Sequence, residues 1–200
     1  MAAEPALAGL VLAGGRSTRM QRDKATLEFG GETQLARAFR LLAPHTRQCY
    51  VSVRPDQVGE PTRARWPQIV DRLIDVGPAA GILAAFAALP GHAWLVVAVD
   101  LPLLDAATLA RLVAARDRTA LATAYRSAAD GQPEPLCAIW EPASAAALER
   151  CVAGGRSCPR KFLATHGACL LDLEHGPALA NVNTPEDYAA ALARTGAGRL

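Results

Sequence analysis

Two glycines followed by closely spaced basic side chains form the first feature of this 200-residue chain that could do chemistry. Gly14 and Gly15 end an apolar run, and the basic residues after them are Arg16, Arg19, Arg22 and Lys24. Backbone N–H groups beside glycine can approach a ligand closely, and they suit a phosphate or the edge of a base. Long basic side chains could fold back over such a loop, which favours a polyphosphate site. The alternative is a tight turn that leads into a solvated basic segment.

This segment departs from two familiar nucleotide-binding signatures. The G-x-x-x-x-G-K-[ST] loop needs a lysine directly after its second glycine, and Arg16 stands there. The G-x-G-x-x-G turn needs glycines where Arg16 and Arg19 stand. The pattern therefore disfavours a P-loop kinase and a nicotinamide-dependent dehydrogenase.

Two aspartates that follow apolar segments are the second chemical feature. Asp71 follows the segment PQIV, and Asp100 follows AWLVVAV. A carboxylate at the rim of a buried strand either caps the next turn or binds a ligand. Mg²⁺ prefers oxygen ligands and is commonly held by one or two carboxylates together with substrate phosphates. Asp100 is therefore a candidate Mg²⁺ ligand, with a turn cap as the alternative.

The elements that must position these residues alternate along the chain. Strands are predicted over residues 7–12, 49–53, 67–71, 93–100, 119–125, 135–140 and 168–173. Helices are predicted over residues 34–43, 79–89, 106–115, 143–151, 159–165 and 185–194. This alternation indicates an α/β fold with a mostly parallel, twisted sheet, in which the apolar segment 93–100 is central. Ligands bind beyond the carboxyl ends of such strands, where the glycine turn, Asp71 and Asp100 all fall.

Composition excludes several classes of function. With 21 basic and 19 acidic residues the formal net charge is +2, so neither a nucleic-acid nor a membrane partner is indicated. The length fits a single domain over residues 1–200, with a frayed end at 195–200. Without a membrane-spanning segment or a leader the sequence is typical of a cytoplasmic protein. The five cysteines lack a Cys-x-x-Cys pair, which favours reduced thiols over a disulfide framework or a zinc site.

Five sequence blocks together resemble the molybdenum cofactor guanylyltransferases, the MobA family of nucleotidyltransferases. The blocks are LAGGRSTRMQRDKATLEFGG, VDRLIDVGPAAGILAAF, VAVDLPLL, GQPEPLCAIW and NVNTPEDY, in the order and spacing of that family. The resemblance implies a three-layer fold of Rossmann-like topology, as in nucleotide-diphospho-sugar transferases. It also implies transfer of GMP from GTP to molybdopterin, which gives the guanine dinucleotide cofactor and pyrophosphate.

The resemblance further assigns roles to individual residues. The nucleotide side would comprise Leu12, Ala13, Gly14, Gly15, Lys24, Ser52, Asp71 and Asp100. Arg19 and Lys24 would meet the phosphates, and Asp100 would carry Mg²⁺. The acceptor side would include Asn181 and Asn183.

Two positions depart from the family pattern. Gln21 stands where the family usually has glycine, and it could stiffen the loop without removing a phosphate ligand. Ser52 stands where the family often has an asparagine that touches the nucleotide. A hydroxyl can still make a hydrogen bond there, and Arg54 nearby could contribute instead.

Other functions remain open from the sequence. A molybdenum cofactor cytidylyltransferase or a sugar-phosphate or polyol-phosphate nucleotidyltransferase would share most of these features. A non-catalytic molybdopterin carrier is an alternative of another class, although it would need neither Asp100 nor Lys24. The resemblance implies molybdoenzymes and other proteins of cofactor biosynthesis as partners.

Overall fold

The fold is described from a computed structural model that covers residues 4–15, 20, 22–173 and 177–195. Several residues named above lie outside the described residues: Arg16, Arg19, Gln21 and the C-terminal residues 196–200. The expectations placed on them, including a phosphate contact from Arg19, stay predictions.

The predicted alternation of strands and helices is present. The strands are β1 (Leu7–Leu12), β2 (Glu28–Phe29), β3 (Glu32–Thr33), β4 (Cys49–Val53), β5 (Gln68–Val70), β6 (Ala93–Ala98), β7 (Ala122–Arg126), β8 (Pro133–Trp140) and β9 (Cys169–Leu171). The helices are α1 (Gln34–Leu42), α2 (Pro78–Ala88), α3 (Ala106–Ala114), α4 (Ala145–Ala153), α5 (Pro159–His166) and α6 (Pro185–Thr195). The hairpin of β2 and β3 is the addition that the sequence patterns did not predict.

A seven-stranded sheet of order β5-β4-β1-β6-β8-β7-β9 organises the fold. Strands β5, β4, β1 and β6 are mutually parallel, and β8 runs antiparallel to β6 and β7. Leu12 is in register with both Ser52 and Ala98, so β1, β4 and β6 end at the same edge of the sheet. The predicted mostly parallel α/β sheet is confirmed.

Two hydrophobic clusters cover the two faces of this sheet. In β6, all six positions are buried, and alternate residues serve opposite faces. Leu95 packs in the cluster that contains α1 and α3, whereas Trp94 packs in the cluster that contains α2, α4 and α5. The molecule therefore has helices on both faces of a central sheet, which is the expected three-layer arrangement.

The C-terminal helix α6 begins at Pro185, where the predicted helix begins, and it packs beside the unpredicted hairpin. Thr184 Oγ1 accepts the backbone N–H of Asp187 at 3.2 Å, and the Asp187 carboxylate accepts the backbone N–H groups of Asn183 and Thr184. Tyr188 stacks edge-on against Phe29 of β2. These contacts fix the segment before α6, and with it Asn183, next to the sheet edge. Within the described part of the chain, the helices are too short or too polar to cross a bilayer.

Candidate functional site

A cavity of about 1020 Å³ lies at the carboxyl ends of β1, β4, β5 and β6. Every residue predicted for the nucleotide side and described in the structure lines it: Leu12, Ala13, Gly14, Gly15, Lys24, Ser52, Asp71 and Asp100. Asn183 also lines this cavity, whereas Asn181 lines a smaller one of about 340 Å³. The two cavities share Pro78 and Leu136, so they are neighbours.

Lys24 connects the polar side chains of the larger cavity. Its ammonium Nζ donates to Asp100 Oδ2 at 3.1 Å and to Asn183 Oδ1 at 2.6 Å. Lys24 begins the helical turn that follows the glycine-rich loop, a name used here for residues 13–23. Asp100 follows β6, and Asn183 precedes α6. The side chains of Lys24 and Asp100 are 18% and 20% exposed, so both keep access to a ligand in the cavity.

The second carboxylate oxygen of Asp100 is available to a cation. Asp100 Oδ1 is buried and has no hydrogen-bond partner among the described residues. A buried acceptor without a partner is costly, and such atoms commonly mark a water or ion site. Within the described ranges, no cluster of three or more His, Cys, Asp or Glu side chains could enclose a metal ion. The donor set therefore fits Mg²⁺, which takes much of its coordination from phosphates and water, and does not fit a closed metal cage.

Ser52 and Asp71 form a second polar pair that lines the cavity. Ser52 is 1% exposed, and its Oγ donates to Asp71 Oδ1 at 2.6 Å. Burial raises the pKa of the Asp71 carboxyl, although the Ser52 hydrogen bond and the positive charge of Arg54 act in the opposite direction. The Ser52 hydroxyl thus orients a carboxylate that lines the cavity. Arg54 lines the cavity too and donates to the carbonyl oxygen of Gly14.

The first turn of α2 also lines the cavity. Gly77 has φ +71°, and Pro78 occupies the first turn of the helix. Gly81 allows the helix to lie directly on the strand ends, since a Cβ there would be 2.4 Å from Ser52 Oγ and 2.7 Å from Leu12 Cδ2. The N-terminal end of a helix presents unpaired N–H groups and a partial positive charge. It therefore adds attraction for an anion to that of Lys24.

One buried residue that contacts the cavity-lining segment was not predicted from the sequence. Arg63 is 0% exposed, and its guanidinium donates to the carbonyl oxygen of Ala13 at 2.8 Å. It also forms ion pairs with Asp23 at 2.7 Å and Glu60 at 2.9 Å. Burial lowers the pKa of Arg63, but these two carboxylates outweigh it and raise the pKa. The surrounding sequence EPTRARWPQ is polar and has no periodicity that would distinguish Arg63 from a solvated arginine.

The fold and the cavity define the class of this protein. A parallel sheet edge that carries a glycine-rich loop, a lysine and a carboxylate is suited to a nucleotide and its phosphates. The structure resembles that of molybdopterin-guanine dinucleotide biosynthesis protein A from Archaeoglobus fulgidus, with a TM-score of 0.74 and 23% identity over 94% of this chain and 98% of that chain. The chain thus has the fold of a nucleotidyltransferase, as the resemblance implied.

The sequence itself shows the family. Residues 9–169 match the family described as the MobA-like NTP transferase domain, and the chain belongs to it. A molybdenum cofactor guanylyltransferase of Pseudomonas aeruginosa is 37% identical over 186 residues, which cover 88% of this chain and 90% of that protein. A molybdenum cofactor biosynthesis bifunctional protein of Synechocystis is 36% identical over 182 residues. The match covers 91% of this chain but 52% of the bifunctional protein, so this chain spans about half the length of that relative.

Proposed function

We propose that this protein transfers GMP from GTP to the molybdopterin cofactor, with pyrophosphate as the second product. The observation that carries the proposal is the meeting of Lys24, Asp100 and Asn183 in one cavity with the glycine-rich loop. Membership of the MobA-like family and 37% identity to a molybdenum cofactor guanylyltransferase support GTP as donor and molybdopterin as acceptor.

In the proposed reaction, an oxygen of the acceptor's terminal phosphate attacks the α-phosphorus of GTP. A new P–O bond forms there as the P–O bond to the departing pyrophosphate breaks. Both reactants are anions that repel each other, so the site must supply positive charge and hold the attack in line. Lys24 and the N-terminal end of α2, which both line the cavity, supply that charge. No nucleophilic side chain is required.

Asp100 is the residue that would hold Mg²⁺. Its Oδ1 has no hydrogen-bond partner among the described residues, whereas Oδ2 keeps its ion pair with Lys24. When bound, Mg²⁺ supplies positive charge that offsets the negative charge of the triphosphate. Asp100 therefore has two proposed roles. Its Oδ1 would bind the metal, and its Oδ2 would hold the Lys24 ammonium beside the phosphates.

Asp71 and the glycine-rich loop are proposed to hold the nucleoside. The Ser52 hydrogen bond fixes one Asp71 oxygen and leaves the carboxylate at the cavity wall, where it can accept from ribose hydroxyls. The backbone of Leu12, Ala13 and Gly14 is proposed to face the base, and Gly15 to leave room for it. Gly15 lines the cavity, and a Cβ there would meet no atom of the described residues within 4 Å.

The acceptor is proposed to lie on the side of Asn183, toward the smaller cavity that Asn181 lines. Asn183 contacts the same ammonium as Asp100, so a phosphate beside it would be next to the triphosphate site. Because the two cavities adjoin at Pro78 and Leu136, one extended acceptor could reach both.

Turnover with competing nucleotides tests this proposal. The purified protein is incubated with molybdopterin, Mg²⁺ and equal concentrations of GTP and CTP, and the dinucleotide products are separated by chromatography. We expect the guanine dinucleotide and pyrophosphate. A cytosine dinucleotide alone would overturn the assignment of the base, and turnover of neither nucleotide would support a carrier of molybdopterin.

A further inference from the structure

The buried guanidinium of Arg63 joins the two ends of the glycine-rich loop. At the first end, Nη2 and Nε donate to the carbonyl oxygen of Ala13 at 2.8 Å and 3.3 Å. At the second end, Nη1 and Nη2 donate to the two carboxylate oxygens of Asp23 at 2.7 Å and 2.9 Å. One side chain thus fixes the point where the chain leaves β1 and the point where it returns.

The Asp23 end of this bridge leads directly to Lys24. Besides binding Arg63, Asp23 Oδ1 accepts the backbone N–H of Ala25 at 3.0 Å and caps the short helical turn Lys24–Thr26. The position of Asp23 therefore determines where that turn begins and how the Lys24 side chain enters the cavity. A displacement of Asp23 would move the ammonium away from Asp100 and Asn183.

Glu60 holds Arg63 in the orientation that this bridge requires. Glu60 Oε2 accepts from Nη1 of Arg63 at 2.9 Å, and Oε1 accepts the backbone N–H of Thr62 at 3.0 Å. An arginine offers donors in a planar fork, so it can serve a carbonyl and two carboxylates together. A lysine has a single ammonium nitrogen and cannot reproduce these directions.

We infer that Arg63 is a positioning residue for nucleotide transfer, which acts by holding Ala13 and Asp23 in place at the two ends of the glycine-rich loop. It fixes the Ala13 backbone on the nucleotide side of the cavity and, through Asp23, fixes Lys24. Arg63 itself is fully buried and is absent from the cavity lining, so it acts through these two residues. This inference rests on the proposed function of the cavity.

The test compares Arg63→Lys and Arg63→Met with a matched variant of a second buried arginine. Arg116 donates to Glu141 at 2.6 Å and to the carbonyl oxygen of Pro5 at 3.3 Å, at the other end of β1 from the cavity. Arg116→Met breaks a buried ion pair as Arg63→Met does, but it leaves the glycine-rich loop intact. For each variant we would measure the melting temperature, kcat, and the KM values for GTP and molybdopterin.

We expect both Arg63 variants to lose about tenfold to a hundredfold in kcat/KM for GTP, the scale of a displaced catalytic group. The KM for molybdopterin should change little, and Arg116→Met should match the stability loss while keeping the GTP parameters of the wild type. Folded Arg63 variants with wild-type GTP parameters, or an equal kinetic loss in Arg116→Met, would overturn the inference. If Arg63→Met does not fold, Asp23→Asn takes its place, because it weakens the same bridge from the loop side.

Hydrogen exchange separates this inference from the proposed function. We expect Arg63→Lys to speed exchange at the amides of residues 13–15 and 23–27 relative to β6, whereas Arg116→Met leaves their ratio unchanged. Unchanged exchange at those amides would contradict the bridge whatever reaction the protein catalyses. A wild-type protein that turns over neither GTP nor CTP would contradict the proposed function and leave the exchange result as the test of Arg63.

Discussion

The Lys24 ammonium lies 3.1 Å from Asp100 Oδ2, although 76 residues separate the two in the sequence. The contact joins the turn after the glycine-rich loop to the end of the central strand β6. Asn183 adds a third segment, since its Oδ1 is 2.6 Å from the same nitrogen. Lys24, which belongs to a segment of closely spaced basic residues, is thus placed between oxygen atoms of two side chains that line the cavity with it.

Lys24→Ala should weaken GTP binding by about 1.5 to 3 kcal/mol, the value of a hydrogen bond to a charged group. This corresponds to roughly a tenfold to hundredfold rise in the dissociation constant, which calorimetric titration with GTP and Mg²⁺ would measure. Arg40→Ala is the matched control, because Arg40 is exposed on α1 and pairs with Glu32 outside the cavity. An unchanged GTP affinity in Lys24→Ala would place the triphosphate elsewhere.

Asp100→Asn should abolish turnover while the protein stays folded. The amide keeps the size of the side chain but loses the charge that binds Mg²⁺ and pairs with Lys24. Removal of divalent cations with EDTA should likewise stop the wild-type reaction, and added Mg²⁺ should restore it. Asp105→Asn serves as the control, because Asp105 caps α3 at the Thr108 N–H, and asparagine caps helices equally well. Turnover of Asp100→Asn at the wild-type rate would show that the metal ligand is another residue.

GTP binding should depend on pH through the protonation of the Asp71 carboxyl. Because burial raises its pKa above the ordinary 3.8, the carboxyl gains a proton at a higher pH than usual and then accepts fewer hydrogen bonds from ribose. The KM for GTP should therefore rise as the pH falls through this raised pKa. Ser52→Ala removes a hydrogen bond that lowers the pKa, so the acid limb should move to higher pH. An acid limb at the same pH in Ser52→Ala would contradict this role for Asp71.

The raised pKa of Asp71 also predicts how the free energy of unfolding depends on pH. A raised pKa in the folded state favours the protonated carboxyl on folding, so its stabilising contribution is complete below pH 3.8 and is lost as the pH rises through the raised value. Asp71→Asn lacks this titration. We therefore expect the free energy of unfolding of Asp71→Asn, relative to that of the wild type, to increase as the pH rises from 3.8 through the raised pKa. Urea titrations at several pH values would measure this difference.

Two glycines at the cavity should respond differently to alanine. Gly81→Ala should lower the free energy of unfolding by about 1 to 3 kcal/mol, because the added Cβ would be 2.4 Å from Ser52 Oγ in a packed layer. In Gly15→Ala the added methyl meets no atom of the described residues within 4 Å, so the melting temperature should equal or exceed that of the wild type. The KM for GTP should nevertheless rise in Gly15→Ala, since the methyl group occupies space beside the nucleotide. Equal stability of the two variants would contradict the close approach of α2 to the strand ends.

Sequence patterns predicted the strands and helices that carry the site, including β5, which has only three residues. The continuous apolar run of β6 indicated a central strand, and the helix predicted from residue 185 begins there as α6. The hairpin of β2 and β3 was missed because each strand has two residues, too few for an alternating pattern. The bounds of β7 also moved, from a predicted start at 119 to Ala122.

The site was predictable where its residues follow strand ends, and unpredictable where tertiary contacts create it. Asp71 and Asp100 could be placed at one edge of the sheet from their positions after apolar runs. The burial of Arg63 could not be predicted, since it depends on a carbonyl 50 residues away and a carboxylate 40 residues away. The pairing of Ser52 with Asp71 likewise depends on the register of β4 with β5.

The most direct test of the central claim is to follow the α-phosphate and the γ-phosphate of GTP in two parallel reactions. Protein, molybdopterin and Mg²⁺ are mixed with GTP that carries radioactive phosphorus at either the α or the γ position. Transfer of GMP predicts that the α label enters the guanine dinucleotide and that the γ label appears in pyrophosphate, in equal amounts. A γ label in the modified pterin, or release of labelled inorganic phosphate without any dinucleotide, would contradict it.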